Sequence, residues 1–179
     1  MQIIIETERL ILREMGMADA QDMIRLYSIP EVQKYTGEDV ITTLEGIHHI
    51  IKEKINDYEL YGYGRWVAIL KDGQQFIGWA GLVYLPEFGE IDLGYRFLPE
   101  YWGAGFATEA SKAILDYGFN KLKLEKIIAI AMKENKASIR VMEKAGMQFD
   151  KFAPYEPGGE DFVWYWCDQK LIRKKYPLR

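Results

Sequence analysis

Apolar residues take strand spacing between residues 65 and 97, strictly alternating over 90 to 97, and return to helical spacing at residue 106, with two glycines at the switch. This is the strongest constraint on the fold, because it demands an antiparallel meander that hands over directly to a helix. Arg65 to Leu70 and Phe76 to Leu85 flank Asp72-Gly73, a residue pair that favours a tight hairpin turn. Pro86 to Gly89 supply a second turn. Glu90 to Phe97 then alternate, with Ile91, Leu93, Tyr95 and Phe97 on one face and Glu90, Asp92, Gly94 and Arg96 on the other. Pro99 stops this strand, and the apolar positions 106, 110, 113, 114 and 117 mark a helix over Phe106 to Phe119.

The flanking segments complete a mixed pattern. Arg9 to Arg13 reads as an opening strand with Leu10 and Leu12 on one face. Asp19 starts a helix carrying Met23, Ile24 and Tyr27, which Pro30 closes; Thr42 or Thr43 starts another, ended by glycines 62 and 64. Lys126 to Met132 is a buried strand, Asn135 caps a short helix ended by Gly146, and Phe162 to Cys167 is an aromatic-rich closing strand. With no internal repeat or linker in 179 residues, the expectation is one α/β domain over 1–179.

Several function classes are disfavoured. The longest apolar runs, Ile3 to Ile5 and Ile127 to Met132, are far shorter than the ~20 residues that span a bilayer, and neither a signal peptide nor a membrane is expected. Twenty-three Lys and Arg against 27 Asp and Glu give a net charge of -4, without the positive field that gathers nucleic acid. Cys167 is the single cysteine and cannot make an internal disulfide, and His48 and His49 are the only imidazoles, so neither a zinc site nor Cys/His catalysis is expected. A reducing, cytoplasmic setting follows. The five tryptophans and 12 tyrosines are expected mainly in the core.

The chemistry concentrates at Trp102-Gly103-Ala104-Gly105-Phe106-Ala107-Thr108, between strand and helix. Glycines let the backbone present successive amides, and a helix N-terminus adds partial positive charge, a combination that binds phosphate oxygens. A strand-to-helix turn without ligand is the plainer alternative. There is no P-loop, and Thr108 stands where a dinucleotide fingerprint needs its third glycine, which argues against ATP and NAD.

Four stretches, in order, resemble the GCN5-related N-acetyltransferase (GNAT) superfamily and, within it, the RimJ/RimL-like group. They are Thr7 to Arg13, Asp92-Leu93-Gly94-Tyr95, Pro99 to Ala110, and Asn135 to Met147. The family pattern Gln/Arg-x-x-Gly-x-Gly/Ala is met by Gly105 and Ala107, with Trp102 in place of Gln or Arg. The resemblance implies a mostly antiparallel twisted sheet flanked by helices, with the Glu90–Phe97 and Lys126–Met132 strands splayed at a CoA site. It implies acetyl-CoA as donor, with pyrophosphate on the amides of residues 103 to 108 and the pantetheine arm along Tyr95, Phe97 and Leu98. Asn135 would hold a pantetheine carbonyl, and Ser138 would face the coenzyme sulfur. Where many members carry a tyrosine acid, this chain has Met142, read as core.

Acyl transfer to an amine needs a proton acceptor, since an α-amine has a pKa near ~7.7 and a lysine near ~10.4. Asp92 is the first candidate and Glu90 the second, both on one strand face; solvated surface carboxylates are the alternative reading. An amide near Tyr95 to Phe97 is the candidate oxyanion donor. Ser138 and Asn135 have plainer readings as a first-turn polar residue and an N-cap. Glu109 is read as structural, facing the helix dipole. Lys121, Lys123, Lys126, Lys133 and Lys136 form a loose basic set that could meet the 3'-phosphate of CoA. The expected partners are acetyl-CoA and an amine acceptor; without turnover, the same fold would be a CoA-binding module. Acceptor choice is expected to lie in residues 30 to 64 and 152 to 160, and the protein to be a monomer or homodimer.

Overall fold

The computed structural model describes residues 2–175, with side chains described to 172, so the ends of the expected 1–179 domain lie outside the described residues. One eight-stranded sheet runs in the order β1-β2-β3-β4-β5-β6-β8-β7. Its strands are β1 (Ile3–Glu6), β2 (Leu10–Arg13), β3 (Arg65–Leu70), β4 (Gln75–Leu85), β5 (Glu90–Phe97), β6 (Lys126–Met132), β7 (Gln148–Pro154) and β8 (Asp161–Asp168). All pairs are antiparallel except β5 with β6.

Both faces of the sheet are covered, and β3 shows how. Trp66 and Ala68 pack in one core with Leu82, Leu93, Ile114 and Leu115, under α4 (Phe106–Asn120) and α5 (Lys136–Ala145). Val67 and Ile69, one residue out of phase, pack in a second core with Met23, Leu26, Ile47 and Ile51. Those residues come from α1 (Ala20–Tyr27) and α3 (Leu44–Tyr61). A strand buried on both faces reads as continuously apolar, as Trp66 to Leu70 do.

Local signals act as the spacing predicts in most places. Thr43 caps α3 by accepting the Gly46 N–H, and Gly62 ends it at φ 74°. The side chain of Asn135 accepts the Ser138 N–H, and Gly146 ends α5 at φ 99°. Trp66, Trp79 and Trp164 are buried, whereas Trp102 is 51% exposed.

Four details differ. Pro30 does not close α1 but opens α2 (Pro30–Gln33) at its first position, where proline's missing N–H costs nothing. The β3–β4 turn is wider than two residues, running through Asp72–Gln74 with Gly73 at φ 72° and Gln74 at φ 51°. β1 and β7, the two sheet edges, were not separable in the sequence, because an edge strand exposes its residues without strict alternation. A last helix, α6 (Gln169–Lys175), follows β8.

Candidate active site

The parallel step is where the sheet opens. β5 and β6 are in register at one pair, Asp92 and Ile128. Beyond it Tyr95 and Phe97 on one strand and Ile130 and Ala131 on the other line a cleft of about 1260 Å³. Backbone alternation decides what β5 offers there. The Leu98 N–H donates to Ile77 O at 2.9 Å, and the β4–β5 ladder keeps unbroken register from Phe97 to Glu90. Arg96 and Gly94 therefore also aim their N–H groups at β4, which leaves those of Tyr95 and Phe97 facing the gap.

The floor of the cleft is the start of α4. Gly103 at φ 76° and Gly105 at φ 85° take left-handed conformations that a side chain would strain. Gly105 is the N-cap, and no side chain caps this helix, so its first-turn amides keep their donors for an anion. Arg9 braces the turn from behind. Its Nη1 donates to Ala104 O at 3.0 Å, its guanidinium lies 4.3 Å from the Phe106 ring centre, and its Nε donates to Glu109 at 2.6 Å. Glu109 also accepts from Thr7 Oγ1 and the Arg9 N–H. Burial alone would raise the Glu109 pKa, but these hydrogen bonds and the Arg9 charge bring it below the ordinary carboxylate value. Trp102 folds back so that its Nε1 donates to Phe97 O at 2.7 Å. A CoA pyrophosphate suits these uncapped amides and paired glycines, whose absent side chains leave open space at Gly103.

Of the sequence candidates, Asp92, Tyr95, Phe97, Trp102, Gly103, Gly105, Phe106, Ala107, Thr108, Asn135 and Ser138 line this one cleft. Three do not. Leu98 is fully buried in the second core with its N–H spent on β4. Ala104 turns its carbonyl to Arg9. Glu90 is ion-paired with Lys126.

Asp92 stands at the parting of the strands. Its Oδ2 accepts from Arg65 Nη2 at 2.5 Å, and the Ile130 N–H also hydrogen-bonds its carboxylate. Burial raises its pKa above the ordinary value, against the opposing pull of Arg65 and the Ile130 amide. Glu90, although on the same strand face, is not among the groups that shift it. Gly94 makes the ion pair possible: a Cβ there would stand 2.7 Å from Arg65 Nη1.

Across the gap, Tyr95 Oη donates to Ser138 Oγ at 3.3 Å. Burial raises the Tyr95 pKa, which keeps the phenol protonated at neutral pH, while the Ser138 hydrogen bond pulls it down less strongly. Met142, one turn beyond Ser138, is 4% exposed and packs in the first core.

The expected lysine set is placed elsewhere: Lys126 is paired with Glu90 and Lys133 with Asp161, and Arg140 and Lys144 of α5 line the cleft instead. Sequence reasoning also missed Arg65 and Arg96, for in an alternating strand a buried arginine looks like a solvated one. Glu31, Lys34 and Glu38 border the cleft from one side, and Tyr155, Glu156 and Glu160 from another. No group of three or more His, Cys, Asp or Glu that could hold a metal occurs among the described residues. Likewise, no helix among them is long and apolar enough to cross a membrane.

Comparison with known proteins agrees with this geometry. The chain is 37% identical over 150 residues to the uncharacterized N-acetyltransferase YnaD of Bacillus subtilis, covering 83% of this chain and 84% of that one. It is 29% identical over 143 residues to the spermidine N(1)-acetyltransferase of Escherichia coli K12, covering 78% of this chain and 73% of the relative. A solved GNAT-family acetyltransferase from Bacillus anthracis superposes with a TM-score of 0.81 at 28% identity, covering 94% and 99% of the two chains. The acetyltransferase (GNAT) domain model matches residues 9–148. With that match across the meander, the glycine turn and the Asn135 helix, the chain belongs to the GNAT acetyltransferase family.

Proposed function

We propose that the protein transfers the acetyl group of acetyl-CoA to a primary amine by direct attack on the thioester, as one cytoplasmic domain of RimJ/RimL-like type. Acetyl-CoA is the acetyl donor and co-substrate. The observation that carries the reading is the cleft between β5 and β6, which has uncapped helix amides at one end and a buried carboxylate at the other.

In this reading the amides from Gly103 to Thr108 hold the pyrophosphate, and the Tyr95 and Phe97 N–H groups hold the pantetheine arm and the developing oxyanion. Asp92 takes the amine's proton through a water, since one of its oxygens is engaged by Arg65. Ser138 donates to the departing thiolate, with Tyr95 hydrogen-bonded behind it as the proton reserve that Met142 cannot be. The amine nitrogen bonds to the carbonyl carbon, the C–S bond breaks, and the sulfur leaves with the proton.

The acceptor falls among protein N-termini and small amines; similarity to a spermidine acetyltransferase adds weight to the latter. A second reading, a CoA-binding module without turnover, rests on buried Met142 at the usual tyrosine position. Release of free thiol from acetyl-CoA with a broad amine panel separates the two. Amine-dependent thiol release supports the transferase. Tight CoA binding with no release from any amine supports the module.

A further inference from the structure

Arg96 is a nearly buried cation at the cleft whose one hydrogen-bonded partner is half-exposed. The side chain is 8% exposed and lines the cleft, and its guanidinium carbon stands over the Tyr27 and Trp79 rings at 4.6 and 5.3 Å from their centres. Two ring contacts restrict the guanidinium, whose fork of donors suits a two-pronged grip on a carboxylate. Yet only Nη1 makes a hydrogen bond, to Glu38 Oε2 at 3.0 Å, and Nε and Nη2 have no partner among the described residues. Neither nitrogen is sealed inside the protein.

Glu38 comes from the segment between α2 and α3, and its side chain is 53% exposed. A half-exposed carboxylate that uses one of five donors is a weak partner, since water competes for it. Arg65, the neighbouring buried arginine, differs. It donates to Gly81 O at 2.6 Å and to Asp92, and it has its own buried counter-charge. Arg65 is therefore committed to the fold, and Arg96 is available to a ligand.

Position supplies the rest. Asp92, Gly94 and Arg96 share one face of β5, with Cα atoms of the first and last ~13 Å apart at ~3.3 Å per residue. An acceptor lying along this face would bring its amine to the Asp92 end and an anionic group to Arg96. Resting on the acetyltransferase reading, we propose that the acceptor is an amine that also carries a carboxylate, gripped by Arg96, and that Glu38 holds this position until the acceptor displaces it. The carboxylates that would favour a polyamine instead, Glu31, Glu156 and Glu160, are exposed at the rim, where solvent weakens their attraction.

The test is kcat/KM at saturating acetyl-CoA for glycine, β-alanine and γ-aminobutyrate, each against its carboxamide, with putrescine alongside. The best amino acid should exceed its amide by about tenfold or more, because the amide cannot pair with the guanidinium. In Arg96→Gln that ratio should collapse toward one. A ratio does not depend on how much of the variant folds, so a destabilised protein still reports. Arg96→Lys should recover part of it, and Glu38→Gln should lower KM for the amino acid severalfold. The proposal fails if acid and amide react equally in the unmodified protein, if Arg96→Gln leaves the ratio intact, or if putrescine surpasses every amino acid. In each of those cases acyl transfer still occurs and the acetyltransferase reading survives. Loss of transfer to every amine, including the amides and putrescine, overturns that reading and this one with it.

Discussion

At the scale of single residues, Asp92 joins two tasks, and one substitution separates them. Asp92→Asn leaves Arg65, which is 7% exposed, without its counter-charge, and removing one partner of a buried pair costs about 3 kcal/mol. Chemical denaturation should read that loss whether or not Asp92 is a base. If it is the base, it must be ionised to work. Its pKa is raised from 3.8 by burial, so the acid limb of the kcat–pH profile should lie above that value in the unmodified enzyme and vanish in the variant. The loss of turnover should shrink as pH rises and more amine is already neutral. A loss that stays constant up to the amine's own pKa would mean Asp92 only holds the strands. Ser138→Ala should lower kcat about tenfold and change acetyl-CoA affinity little, because its hydrogen bond strengthens as charge gathers on sulfur. Tyr95→Phe should follow the same pattern. An unchanged kcat in both, with chemistry rate-limiting, would return the pair to packing and capping. Of these residues, Asp92 and Ser138 could be singled out by spacing and resemblance, but the arginine that holds Asp92 could not.

At the scale of elements, the start of α4 carries two predictions. Gly105→Val places a β-branched residue at φ 85° in the turn, a strain of about 1–2 kcal/mol, and obstructs approach to the amides. Acetyl-CoA binding should be lost in the folded variant by calorimetry, and retained affinity would move the pyrophosphate elsewhere. Glu109 ties the β1–β2 turn to α4 through three donors, and Glu109→Gln should cost about 2 kcal/mol at neutral pH. The sign with pH follows from the lowered pKa. The contribution is complete above the carboxylate's ordinary 4.5 and is lost as pH falls through the lower folded value. Denaturation curves for the two proteins should therefore converge in acid, and a gap that persists there would assign the effect to packing. This helix start was legible because a double glycine between two periodicities is a local signal. β1 and β7 were not, since an edge strand's pairing depends on a neighbour the local pattern does not name.

At the scale of the whole molecule, the cleft is a property of the sheet, and filling it should stabilise everything that borders it. Acetyl-CoA at a hundred times its Kd adds about 2.7 kcal/mol to the native state, or a Tm rise of roughly 5–10 °C for a chain this long. No shift at saturating acetyl-CoA would contradict a native-state binding site.

What the residues determined by themselves is whatever acts over a few positions: the alternation of β5, the glycine turn into α4, the Asn135 cap and the Gly146 stop. Each depends on backbone conformations and hydrogen bonds between near neighbours, so composition and spacing suffice to read it. Spacing also put Glu90 and Asp92 on one face, but it could not say which of them would meet the cleft. Tertiary structure decided that by giving Glu90 to Lys126 and Asp92 to Arg65, partners 36 and 27 residues away. It likewise set Glu38 against Arg96 across 58 residues and parted β5 from β6 after a single pair. A long side chain's partner, and with it the charge that remains for a ligand, is fixed only when strands distant in the chain are brought side by side.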